Sequence, residues 1–91
     1  MSNVLQEASV TVLFFGRLSD RCGRSAVVAI PASGTRIGEL RGLLEAAFGS
    51  PDAPSPFGAG TRAAVDKVAA TDDTPVLPGQ EIAFFSAVSG G

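Results

Sequence analysis

One amphipathic helix set among short β-rich runs is the feature that most limits what this chain can fold into. From Arg36 to Phe48, the apolar residues Ile37, Leu40, Leu44 and Ala47 recur on one face at helical spacing, and Leu43 and Phe48 widen the stripe. Thr35 is placed to cap the start, with an incomplete capping box because Gly38 would occupy N3. Gly49 and Pro51 end it. An apolar stripe has to bury itself against another element, and the rest of the chain offers strands.

Ala8–Phe15 (ASVTVLFF) is rich in β-branched and aromatic residues and stops at Gly16, which predicts a strand. Its alternating sets are Val10, Val12, Phe14 and Thr11, Leu13, Phe15, and both are largely apolar. That pattern fits a central strand with one face in the core and the other partly covered, for example by a partner. Gly16–Ser25 reads as a connecting loop, and Ala26–Ile30 as a second strand ending at Pro31. The segment 50–60 (SPDAPSPFGAG) reads as a flexible loop in which Phe57 is either an anchor or an exposed contact. Arg62–Val65 and Lys67–Ala70 are short strands around Asp66-Lys67, residues 71–79 carry turn chemistry, and Glu81–Ser86 (EIAFFS) is the last strand. The order β-β-α-β-(β)-β predicts an α+β fold: a mixed sheet with one main helix packed on one face, in a single domain spanning 1–91.

Composition narrows the chemistry. The chain has 91 residues, enough for a core that buries roughly 60–65% of the unfolded surface, but not for a deep active site as well. It has no His, Tyr or Trp and a single Cys, Cys22. The usual general base is therefore missing, and one Cys without His cannot build a structural zinc site; no metal site is expected. Seven basic residues stand against nine acidic ones, for a net charge of -2, which argues against nucleic-acid binding. The N-terminus lacks a basic and apolar leader, no apolar run approaches the roughly 18 residues of a membrane span, and the lone Cys suits a reducing compartment. A cytoplasmic protein without membrane contact is the expectation, with its function at a surface or a terminus.

The sequence ends in Gly90-Gly91, close behind a strand. By composition this is either a frayed end or a working one. Glycine has no Cβ, so a Gly-Gly end is the narrowest peptide available and can thread a tunnel in another protein. Its carboxylate, with a pKa of roughly 3.5, is an anion and a poor electrophile at neutral pH. Activation as an acyl-adenylate, followed by sulfide attack, would leave a nucleophilic thiocarboxylate and split a difficult step into easier ones.

Two stretches sharpen this reading. VTVLFFGRLSDRCG resembles the first strand and loop of the small subunits of molybdopterin synthase, a ubiquitin-like sulfur-carrier family. TPVLPGQEIAFFSAVSGG resembles their closing segment, typically P-L-x-x-G-D-E-V-A-F-x-P-P-V-S/T-G-G. The resemblance implies a ubiquitin-like β-grasp fold and a role in molybdenum cofactor biosynthesis. In that role Gly91 is the residue adenylated and thiocarboxylated, and it donates sulfur for the molybdopterin dithiolene. It further implies a tail over 86–91 in which Val88, Ser89 and Gly90 enter the large synthase subunit, with Leu13, Phe15 and Phe85 either core or facing that partner. The implied partners are the large subunit, in a heterotetramer of two small and two large subunits, and an adenylyltransferase of the ubiquitin-activating type. ATP and Mg would be used by that enzyme and no cofactor held by this chain, which is a co-substrate with no catalytic side chain of its own. Sulfur carriers for thiamine, cysteine or tRNA thiolation, and protein modifiers joined through Gly91, also end in Gly-Gly. Two positions depart from the pattern. Gln80 replaces the usual Asp and weakens a turn acceptor, and Ser86-Ala87 replace Pro-Pro, leaving more entropy to lose on docking.

Other residues admit two readings each. Cys22 is a spare thiol or a sulfur relay, and Asp72 and Asp73 form a turn or bind a cation. Arg17, Arg21 and Arg24 belong to a solvated loop or meet an acidic patch on the activating enzyme.

Overall fold

The computed structural model describes residues 8–49, 57–58 and 60–86. Strand β1 (Ala8–Phe15) is followed by a short helix α1 (Arg17–Cys22) and strand β2 (Ser25–Ile30). A two-residue strand β3 (Thr35–Arg36) leads into the main helix α2 (Ile37–Phe48). Then come β4 (Thr61–Val65), β5 (Val68–Ala70), β6 (Pro75–Val76) and β7 (Glu81–Ser86). The main sheet has the order β2-β1-β7-β4-β5, and β3 pairs with β6 in a small second sheet. Among the described residues, β1 and β7 form the parallel pair of the main sheet and its other pairs are antiparallel.

The sheet and α2 close on one core. Val10, Val12 and Phe14 of β1 and Ile82 and Phe84 of β7 face Ile37, Leu40 and Leu44 of α2, all buried. Phe84 sits 5.8 Å from Phe57, and Phe14 packs on both Phe57 and Phe48, at 6.0 and 5.7 Å between ring centroids. Tilted and edge-on aromatic pairs of this kind add roughly 0.5–1.5 kcal/mol each beyond the area they bury. Phe57 is thus an anchor and not an exposed contact. The remainder of the predicted loop, 50–56 and residue 59, lies outside the described residues.

Several expectations from the sequence are corrected. Gly16–Ser25 is not a plain loop, because α1 occupies its middle and buries Leu18 and Cys22. The helix exits through Gly23 at φ 85°, ψ -174°, a conformation essentially restricted to glycine. Thr35 does not cap α2: it lies in β3, the N-cap is Arg36 without a side-chain bond, and the Thr35 hydroxyl donates to Glu39 Oε1 at 2.7 Å. The first helical amides are satisfied from a distant loop instead. Ile37 N donates to Thr74 O at 3.0 Å and Gly38 N to Asp72 O at 2.9 Å. A Cβ on residue 38 would lie 3.3 Å from Asp72, so a larger residue here would require Asp72 to shift by a few tenths of an ångström. Leu43 and Ala47 are exposed, so the buried stripe of α2 is narrower than the apolar one. Lys67 belongs to the turn rather than to β5, and residues 71–79 contain the strand β6.

Arg41 ties these parts together. Its Nε donates to Asp72 at 2.8 Å and its Nη1 to the Phe57 carbonyl at 2.9 Å, while the guanidinium lies 5.4 Å over the Phe84 ring. Asp72 is therefore a partner of Arg41 and of the helix start, and among the described residues no cluster of three or more acidic, His or Cys side chains could hold a metal.

Candidate functional site

The site is assembled around β7, the middle strand of the sheet, which is fixed at both ends. At its start, Asp66 accepts from the Glu81 amide at 3.0 Å and from Gln80 Nε2 at 3.1 Å, while Gln80 Oε1 accepts from the Leu77 amide at 2.7 Å. Gln80 therefore supplies a turn acceptor after all, contrary to the sequence expectation: an amide can accept and donate at once. Asp66 and Lys67 both have positive φ, 48° and 73°, the pattern of a tight type I′ hairpin that holds Asp66 in place. At its far end, Phe85 is paired with Phe15 on one side and Arg62 on the other, and Ser86 still pairs with Thr61. The chain thus passes into residues 87–91 from a strand braced on both sides.

The parallel register of β1 and β7 sets Leu13 beside Ala83 and Phe15 beside Phe85. These residues alternate with the buried Val12, Phe14, Ile82 and Phe84, so they form the outer face of the sheet, away from α2. Phe15 is 50% exposed, Leu13 and Phe85 are half-buried, and Val27, opposite Thr11 on β2, is 73% exposed. Leu13, Phe15 and Phe85 are therefore brought together as an open apolar patch next to the point where the tail begins. Val88, Ser89, Gly90 and Gly91 lie outside the described residues.

Cys22 is not a thiol in a polar loop. It is buried on the inner face of α1, and that burial raises its pKa above the ordinary 9.0, opposed by the neighbouring Arg21 charge. A protonated, covered thiol is a weak nucleophile, which does not suit a relay. Sequence reasoning missed α1, whose traces were Leu18 and Cys22 at i, i+4 between two glycines, and it missed Arg41, which carried no sequence signal. No helix among the described residues is long and apolar enough to cross a membrane.

The model of the ThiS family matches residues 12–91, through both terminal glycines. The chain belongs to the ThiS family. Among solved structures, this ThiS-family chain is similar to SAMP1 of Haloferax volcanii at TM-score 0.71 and 22% identity, over 91% of this chain and 99% of that one. It is similar to a Pyrococcus furiosus protein described as molybdopterin converting factor, subunit 1, at TM-score 0.71 and 18% identity, over 89% and 99% of the two chains. The HVO 2177 protein of H. volcanii gives TM-score 0.73 at 15% identity, over 100% and 93%. These likenesses establish the fold as the ubiquitin-like β-grasp expected from the sequence. No curated protein matches the sequence. With its family and fold, the chain stands among ubiquitin-like sulfur carriers and modifiers.

Proposed function

We propose that this chain is a sulfur carrier for molybdenum cofactor biosynthesis and acts as the small subunit of molybdopterin synthase. The observation that supports the reading is the strand from which residues 87–91 continue. The A-F-F-x-x-V-S-G-G ending issues from the central strand, immediately beside the open patch of Leu13, Phe15 and Phe85. The patch gives the large subunit an apolar surface to hold, and Val88, Ser89 and Gly90 then run into its active site. The Gly91 carboxylate attacks the α-phosphorus of ATP on an adenylyltransferase, releasing pyrophosphate. Hydrosulfide then attacks the acyl carbon, displaces AMP and leaves the thiocarboxylate. ATP and Mg belong to that enzyme, and this chain supplies the carboxyl and the docking surface.

Deleting Gly91 is expected to abolish sulfur transfer in a reconstituted synthase while the unfolding midpoint stays unchanged. Near-normal dithiolene formation by the deletion variant would sink the reading. A modifier is the second reading, favoured by the fold shared with a protein described as small archaeal modifier protein 1. Mass spectrometry of the protein from its host separates the two: free acid and thiocarboxylate for a carrier, isopeptide adducts for a modifier. Lys67 is the only lysine, and Lys67→Arg should leave sulfur transfer unaffected.

A further inference from the structure

The two edges of the main sheet are built differently. Strand β5 has three residues and is bounded by charge, with Lys67 just before it and Asp72 two residues after it. Shortness and flanking charge protect an edge against pairing with another chain. Strand β2, at the other edge, has six residues, SAVVAI, with no charge, proline or glycine among them. It pairs with β1 without a bulge, from Ala8 opposite Ile30 to Leu13 opposite Ser25. One bond fixes which way its backbone groups point: the Phe14 amide donates to the Arg24 carbonyl at 2.9 Å. Bonded and non-bonded pairs alternate in an antiparallel ladder, so Ala26, Val28 and Ile30 turn their amides and carbonyls toward β1. Ser25, Val27 and Ala29 turn theirs outward. The Ser9 carbonyl agrees with this phase: Ser9 stands opposite Ala29 and accepts from Gly79 on the far side of β1, at 2.9 Å. Three N–H and three C=O groups thus line the β2 edge with no strand beside them among the described residues. Val27, whose side chain lies on the outer face, is 73% exposed and is the most exposed large apolar residue among the described residues.

We propose that β2 pairs antiparallel with β2 of a second copy of this chain, across a two-fold axis at Val27. This register sets Val27 opposite Val27 and Ser25 opposite Ala29 of the copy, so all the outward amides and carbonyls of both strands are bonded. The two valines lie directly opposite on one face and cover each other. Arg24 falls opposite Ile30, about 20 Å along the strands from Arg24 of the copy, so no like charges meet. Pro31 lacks an N–H and ends the pairing. A second copy is the occupant the edge fits, because an isologous contact asks one strand to complement itself, and an uncharged, unbulged strand with its outward groups at alternate residues does so. The axis is perpendicular to the sheet. Both outer faces therefore lie on one side of a ten-stranded sheet, and β7, two strands in from β2, stays clear of the contact. Edge pairing alone buries less than about 1,200 Å², so the dimer belongs to the weak, concentration-dependent class. The inference stands apart from the sulfur-carrier reading, which neither requires it nor falls with it.

The test uses the full chain, with sedimentation equilibrium and residue-resolved amide hydrogen exchange from micromolar to millimolar protein. The amides of Ser25, Val27 and Ala29 are expected to exchange freely in dilute protein and to slow severalfold in concentrated protein, while those of Ala26, Val28 and Ile30 are protected throughout. Val27→Lys sets two ammonium groups against each other at the axis and should weaken dimerisation at least tenfold, with the unfolding midpoint unchanged because the position is exposed. The register has its own readout. With an added oxidant and in a Cys22→Ala background, Val27→Cys should give a covalent dimer, since directly opposite residues of a bonded pair have Cα atoms about 5.5 Å apart, within disulfide range. Ser25→Cys should not, because each copy of that residue faces Ala29. A chain that stays monomeric over the whole range overturns the proposal. So does a Val27→Lys variant that dimerises like wild type, which would place the contact on another surface, and so does equal cross-linking of the two cysteine variants. Protection of Ser25, Val27 and Ala29 already in dilute protein would show the edge covered within one chain and overturns it as well.

Discussion

The two faces of β1 are almost equally apolar in sequence and end in different surroundings. Val10, Val12 and Phe14 are 0–2% exposed beneath α2, whereas on the other face Phe15 is 50% exposed and Leu13 half-buried. The same holds on β7 for Phe84, fully buried, and its neighbour Phe85, half-buried. Among the described residues, the twelve-residue helix α2 covers one face of the five-stranded sheet and leaves the other open. An apolar strand face is thus evidence of something to be covered, and the cover can come from outside the chain.

Truncation at the inner face should have the largest effect. Phe84→Ala is expected to lose about 3–5 kcal/mol of unfolding free energy, a large share of the 5–15 kcal/mol typical of a domain. Urea denaturation monitored by circular dichroism measures it, and a loss no greater than that of Phe85→Ala would erase the distinction between the faces.

Phe85→Asp reverses the emphasis. Binding to the large subunit should weaken by well over tenfold, on the order of 2 kcal/mol, while the fold loses roughly 1 kcal/mol or less. Calorimetric titration paired with denaturation reads both quantities. An intact affinity would show that the outer patch is not where the partner sits.

Arg41 sharpens the account of the inner face. Arg41→Ala removes the bond to the Phe57 carbonyl and the stacking over Phe84 and should cost about 1–2 kcal/mol. Asp72→Ala should cost less, about 0–1 kcal/mol, because its side chain is 66% exposed and an exposed ion pair contributes little. Equal losses for the two variants would place the stabilisation in the ion pair instead.

The smallest effect concerns Cys22. Its pKa is higher in the folded protein than the ordinary 9.0, so its contribution to stability is complete below about pH 9 and declines as the pH rises through the folded value. Cys22→Ala should lack that alkaline decline and retain sulfur transfer. A large loss of thiocarboxylate in this variant would reinstate the relay.

Much of the fold is legible in local spacing. Ile37, Leu40 and Leu44 announce α2, and the alternation in Ala8–Phe15 and Glu81–Ser86 announces the two central strands. Helix α1 is harder to read because six residues hold only two buried positions, too few to establish a period. Strands β3 and β6 have two residues each and exist only because each finds the other. Phe57 in a Pro-rich segment has no periodic neighbours, so its burial depends on the gap between Phe14 and Phe84. The Gly90-Gly91 end was legible as a motif, and its closing segment carried the family.

By itself, then, the sequence determined which residues share a face, where the main helix lies, that the chain has no His to work with, and that it ends in the narrowest peptide available. Each of these follows from side-chain identity and spacing along the backbone. Only the tertiary structure decided which face of β1 is core, that Leu13, Phe15 and Phe85 meet across a parallel pair, that Cys22 is covered, and that the amides of Ile37 and Gly38 are capped by a loop more than thirty residues away. Those outcomes depend on what lies opposite a residue in space, and in this fold the opposing groups come from distant parts of the chain.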